Sequence, residues 1–349
     1  MWHSYTVAGM SSVVNSVRTN ATATGVDPRT VNIQYARSTA IDSQGNLYVT
    51  SATCILVIKP PAPYKTGYNT VAGWTSPQLI SPPPIEQDKG FKMSLYAGSI
   101  NGGVELTTTD PNLITFYNIA GLCYDPNQNC IYVSDPIIHS ITRIPCVGGE
   151  SMRSTLLIGS ASGRNGFTNG PQSDATLHSP KGLAVDSNST IYIADYINNA
   201  IRKLVGGASG SGGTMSTVGT LTNPIDVCVT TDNSVYATSA TDNCIYKFTP
   251  SGTTYIRSTY YTGLIKPAGL CRDAANNLFV YDAGNNRILL ITGGASPSAM
   301  QLRSGISPLS ASQLTDQAFF AGLTYDNMGN VYHIEGADNT IGILSSMPQ

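Results

Sequence analysis

Ser179 to Leu204 reads SPKGLAVDSNSTIYIADYINNAIRKL. Gly182-Leu183-Ala184-Val185-Asp186 is a short apolar run that ends on a turn former. Ser187-Asn188-Ser189 makes a turn, and Ile191-Tyr192-Ile193-Ala194-Asp195 is a second β-prone run. Ile197-Asn198-Asn199 turns again before Ala200-Ile201-Arg202-Lys203-Leu204. Three antiparallel strands joined by tight turns make most of one propeller blade.

The frame recurs five more times: RSTAIDSQGNLYVTSATCILVI from Arg37, AGLCYDPNQNCIYVSDPIIHSITRI from Ala120, PIDVCVTTDNSVYATSATDNCIYKF from Pro224, PAGLCRDAANNLFVYDAGNNRILLI from Pro267 and AGLTYDNMGNVYHIEGADNTIGIL from Ala321. The first strand ends at Asp42, Asp125, Asp186, Thr230, Asp273 and Asp326. The middle spacings of 44 and 43 residues suit one four-stranded blade. Wider spacings call for insertions. The largest covers about residues 59–112 and carries Pro60-Pro61-Ala62-Pro63 and Pro82-Pro83-Pro84, which resist ladder pairing.

These copies resemble NHL repeats, a family whose blades carry a P-x-G strand ending in Asp, a strand ending in A-D, an Asn-rich turn and then I-R-K. Pro180, Gly182, Asp186, Asp195, Asn199, Ile201 and Arg202 match, as do Pro267, Gly269, Asp273, Asp282, Asn286, Arg287 and Ile288. Fourth strands of such blades read like T-V-A-G, and Met215 to Gly219 and Asn69 to Gly73 are candidates. Ser4-Tyr5-Thr6-Val7-Ala8-Gly9 precedes every first strand, while the last copy ends near Leu344. The expectation is an all-β chain forming one domain over residues 1–349, a six-bladed β-propeller of four-stranded antiparallel blades. The N-terminal strand closes the ring by joining the C-terminal blade.

Charged residues are 11% of the chain and net charge is −2. Without a basic cluster, sequence-independent nucleic-acid binding is not expected. The apolar runs are strand-sized, so no membrane span or anchor is expected, and the first residues do not read as a signal peptide. Seven cysteines without a CxxC pair read as buried free thiols, which favours a reducing compartment such as the cytoplasm; a virion or cell surface is the other location weighed. Cys123, Cys228 and Cys271 share one small-residue slot. Tyr48, Tyr132, Tyr192, Tyr236, Tyr332 and Phe279 share a wedge position in the second strand.

Asp135, Asp195, Asp282 and Glu335 end second strands. They read as turn staples or, alternatively, as an oxygen-donor ring for Ca²⁺. Six-bladed propellers include amidating lyases, lactonases, strictosidine-synthase-like proteins and streptogramin lyases. The amidating lyases need several channel histidines for zinc. This chain has His3, His139, His178 and His333, which do not repeat one position. His178 lies where a repeat-borne ligand would sit. No nucleophile elbow and no phosphate-binding loop are present.

The resulting expectation is a non-enzymatic binding, scaffold or structural protein that uses its propeller surface for protein–protein contact. Oligomerisation or assembly into a virion is one form of it, and Tyr64, Tyr68 and Trp74 of the insertion are candidate contacts. No cofactor is expected beyond Ca²⁺. The alternative is a metal-dependent hydrolase or lyase, lactonase-like or amidating-lyase-like, with its site in the central channel.

Overall fold

The computed structural model describes residues 2–8, 33, 36–51, 53–59, 92–98, 116–146, 154–159, 163–209, 211–304, 322–326, 328–335 and 340–346. Within them the chain is all-β and forms the six antiparallel blades of a propeller. The third blade runs outward through Pro180–Val185, Ile191–Asp195, Ala200–Val205 and Thr214–Thr220, and Gly170–Pro171 adds a short fifth strand at its edge. Pro171 lacks an N–H, which suits a two-residue edge strand. The fourth and fifth blades repeat the plan, starting from inner strands Pro224–Val229 and Pro267–Arg272.

Ring closure follows the expected plan. Trp2–Ala8 pairs antiparallel with Thr340–Ser346, placing Tyr5 opposite Ile343, and so becomes the outer strand of the sixth blade. In the first blade the outer strand is Lys92–Gly98, inside the stretch read from sequence as insertion. The other candidate, Asn69 to Gly73, lies outside the described residues, as do Tyr64, Tyr68 and Trp74.

Six apolar clusters hold the ring, one to each seam between neighbouring blades. Between the second and third blades, Cys130, Tyr132, Ile141 and Leu157 meet Leu177, Leu183, Ile191, Ile193 and Leu204. Alternation along each strand sends successive side chains to the two neighbouring blades, so one blade serves two seams. Each such side chain contributes about 1.5–3 kcal/mol through burial.

The wedge tyrosines have a second task. Tyr48, Tyr132, Tyr192 and Tyr332 donate their hydroxyls to Asp42, Asp125, Asp186 and Asp326, at 3.0–3.3 Å. Those aspartates also accept turn N–H groups, as Asp326 does from Met328 and Asn330. Each thereby ties the turn after the inner strand to the second strand. This end of the disc is called the lower face below; the end where inner strands begin is the upper face.

The glycine of the P-x-G motif has a steric origin. A Cβ on Gly121 would lie 2.5 Å from the Lys181 carbonyl oxygen, and one on Gly182 would lie 2.6 Å from Asp226 Cα. Inner strands approach most closely here. One residue earlier, Ala120, Ile225 and Ala268 of the second, fourth and fifth blades are buried in one apolar cluster, so side chains of non-adjacent blades fill the channel at this level.

Candidate functional site

The upper face is built from two recurring positions. At the first, the residue two before the start of the P-x-G motif gives its N–H to the aspartate that ends the second strand. Tyr117 N donates to Asp135 Oδ2 at 2.6 Å, His178 N to Asp195 Oδ1 at 2.8 Å and Ile265 N to Asp282 Oδ1 at 2.7 Å. The remaining capacity of these carboxylates is also used. Ile137 N and Ile138 N reach Asp135 Oδ1; Asn198 and Arg202 reach Asp195 Oδ2; Asn285 and Arg287 reach Asp282 Oδ2.

Asp135, Asp195 and Asp282 are therefore turn staples, each essentially buried in its own blade. Their oxygens do not converge, and among the described residues no three His, Cys, Asp or Glu side chains gather around a point that could hold a metal. The aspartates do not fit a shared calcium site. Glu335 ends its strand Asn330–Glu335 opposite Thr340; its side chain is outside the described set.

At the second position, the last residue of the turn after the second strand adopts positive φ: 55° at His139, 53° at Asn199, 56° at Asn243 and 50° at Asn286. Asparagine tolerates this region better than most residues. In two blades its amide oxygen latches the next blade. Asn199 Oδ1 accepts Asn223 N at 2.9 Å, and Asn243 Oδ1 accepts Lys266 N at 2.8 Å. At the second-to-third seam the acceptor is an imidazole: Ser179 N donates to His139 Nδ1 at 3.1 Å. The ring proton accordingly sits on Nε2.

The two positions meet at this seam. His139 and His178 pack edge to face, with ring centroids 5.0 Å apart, and Asn165 Nδ2 lies 3.5 Å from His139 Nε2. Burial, then the neighbouring His178, hold His139 below the ordinary histidine range. Both side chains remain partly exposed.

Buried Arg202 fixes the loop that brings Asn165 beside His139. It bonds Asp195 at 2.9 Å, the carbonyls of Thr168 and Thr176 and the side chain of Asn169, and it lies against the Phe167 ring. Burial holds the Asp195 carboxyl above the usual carboxylate range despite this partner.

Two further buried groups line the inner strands. Lys181 places its ammonium 3.6 Å from the centroid of the Tyr196 ring. Asp226 stands where most copies have glycine, and its carboxylate accepts Val227 N and, across the seam, Leu270 N, each at 2.8 Å. Ser38, at the same position in the first blade, accepts Leu122 N at 3.0 Å in the same way. Burial pushes the Asp226 carboxyl well above its ordinary range. Cys123, Cys228 and Cys271 lie on the inner strands nearby; burial raises all three thiols, that of Cys228 to about 12, which leaves them unreactive packing groups.

His178 was a candidate from sequence; its pairing with His139 was not foreseen. A signal existed, because His139 occupies the asparagine position of the blade turn. His333 belongs elsewhere: it is buried between the last two blades, where Arg303 and its Nε2 lie 2.7 Å apart.

No family model matches the chain, and no curated protein does. Solved structures match the fold. They include a gluconolactonase from Xanthomonas campestris, 12% identical at a TM-score of 0.57 over 93% of this chain and 87% of that one. A catalytically inactive histidine-to-alanine variant of virginiamycin B lyase from Staphylococcus aureus, with quinupristin, is 13% identical at 0.55 over 99% and 100%. A protein of unknown function from Bacteroides thetaiotaomicron is 12% identical at 0.60 over 99% and 76%. The first two are enzymes. They overturn the expectation of a non-enzymatic scaffold or structural protein and favour the catalytic alternative.

Proposed function

We propose that the chain is a hydrolase or lyase that breaks an ester or lactone C–O bond by proton transfer at the upper face, on the seam between the second and third blades. The observation that carries this is the His139–His178 pair. A neutral imidazole is the side chain best suited to take and return a proton near neutral pH. His178 is the base: it takes a proton from water as that water adds to the carbonyl, and returns it to the leaving alkoxide. In the elimination variant it takes a proton from the carbon adjacent to the alkyl C–O carbon, the C–H electrons form a double bond, and the carboxylate leaves. His139 is a positioning residue whose orientation is fixed by the Ser179 N–H.

Support comes from the fold neighbours, which include a lactonase and a lyase, and from the lyase variant whose inactivity accompanies loss of one histidine. The blades are NHL-type repeats in this account, on the strength of the motif residues of the third and fifth copies. No step is routed through a metal, and a calcium ion would need ligands other than Asp135, Asp195 and Asp282.

The test is turnover of a panel of lactones and carboxylic esters by the wild-type protein and by His178→Gln. A loss of roughly 100-fold or more is expected, the scale of general-base catalysis. Equal turnover by the two proteins, or none by the wild type across the panel, overturns the proposal.

A further inference from the structure

Seven large apolar side chains are strongly exposed among the described residues, and two of them belong to the second-to-third seam. Ile137 is 54% exposed and Phe167 47%. Hydrogen bonds tie both to the histidine pair. Ile137 N bonds the Asp135 carboxylate in the turn that ends at His139. Ser179, next to His178, donates its hydroxyl to the Pro136 carbonyl at 3.2 Å. Asn165, two residues before Phe167, touches His139, and Asn198 holds the intervening Gly166 carbonyl at 2.7 Å.

Phe167 is also held in place, since the guanidinium of Arg202 packs 4.4 Å from its ring centroid and the same guanidinium bonds the Thr168 carbonyl. Fixed, exposed aromatic surface beside a polar group is the usual lining of a small-molecule site. The charges nearby are committed: Asp195 and Arg202 pair inward, and Arg164 already has a partner.

The seam between the fourth and fifth blades is an internal control. It exposes Ile265 in the slot of His178, but its latch is Asn243 and it carries no imidazole. Apolar exposure and proton-transfer groups coincide on the second-to-third seam alone among the described ones.

Resting on the catalytic role given to this seam, we infer that its substrate is uncharged and carries an aromatic ring next to the reacting carbonyl, the ring lying on Phe167 and Ile137 with the carbonyl toward His178.

The test reads binding without turnover. 1-Indanone supplies an aromatic ring fused to a carbonyl and has no bond to hydrolyse; cyclopentanone has the carbonyl ring alone. Each is titrated into the full-length protein while the imidazole C–H resonances are followed by NMR, with His178 and His139 assigned from the spectra of His178→Gln and His139→Asn. 1-Indanone should shift both residues saturably and cyclopentanone should bind at least tenfold more weakly. Phe167→Ala and Ile137→Ser should each weaken 1-indanone fivefold or more; both positions are exposed, so the fold tolerates either change. Equal affinity for the two ketones, or wild-type affinity in both variants, overturns the inference. Binding as expected together with undiminished turnover in His178→Gln supports the aromatic site and defeats only the catalytic role.

Discussion

The seam between the third and fourth blades and the seam between the second and third share one backbone plan. In both, a positive-φ residue at the end of a turn accepts the N–H of another positive-φ residue that opens the next blade. The third-to-fourth seam does this with Asn199 and Asn223, and its chemistry ends there. The second-to-third seam does it with His139 and Ser179, adds His178 against the first ring, and sets beside His139 a loop pinned by Arg202. Latching needs only an acceptor, which asparagine provides. The imidazole therefore exceeds what the fold requires, and that excess is what marks the seam as a site.

The comparison can be broken most severely at the loop. Arg202 and Arg287 pair with the equivalent aspartates Asp195 and Asp282 from different strand positions, and the Arg202 side chain is fully buried whereas that of Arg287 is 29% exposed. Arg202→Met should cost about 3–5 kcal/mol, because it strands a buried carboxylate and two carbonyls. Arg287→Met should cost roughly 1 kcal/mol, as water replaces part of what is lost. Urea unfolding of the two variants checks this; equal losses would mean that the third-blade loop gains nothing from the burial of its arginine.

The seam between the fifth and sixth blades sharpens the comparison by pH. Burial, followed by the charge of Arg303, lowers His333 from 6.5 to about 3. The unfolded chain takes up a proton near pH 6.5 while the folded chain refuses it until about pH 3, so stability from this group is whole above pH 6.5 and falls as pH drops toward 3. Between pH 6.5 and 5 the loss should approach 2 kcal/mol. Denaturant midpoints measured across that window should fall less steeply in His333→Gln than in the wild type.

An effect of similar size is expected at the close approach of inner strands. Gly182→Ala forces a methyl against Asp226 and should cost about 1–3 kcal/mol. Asp226→Gly restores the residue used at this position in most copies, so the double variant should recover part of the loss. Additive losses in thermal unfolding would show that the methyl is opposed by the backbone at position 226 and not by the carboxylate.

Much of the fold was legible because a blade is specified locally. The turn aspartates, the Tyr wedges and the asparagine latches occupy fixed offsets, and the early T-V-A-G stretch disclosed the ring closure. The outer strand of the first blade was not legible: KMSLYAG lies far from its blade behind a proline-rich stretch, and a lone strand of that length has no local signature. The site was harder still. Asp195 and its equivalents look like ligands in sequence, yet hydrogen bonds to N–H groups some 17 residues away saturate them. His139 and His178 are separated by 39 positions and meet only because neighbouring blades are staggered by one repeat.

The measurement that tests the account most directly is the His139→Asn variant, followed by thermal unfolding and by ester or lactone turnover on the same preparation. Asparagine is what the third, fourth and fifth blades use at this position, so the melting temperature should change by no more than about 2 °C, the size of an unaltered surface latch. The rate constant kcat should fall roughly tenfold or more with little change in KM, because an oriented neighbour of the base has been removed. A melting temperature that drops while kcat per folded molecule stays at the wild-type value would contradict the account and return His139 to a purely structural role.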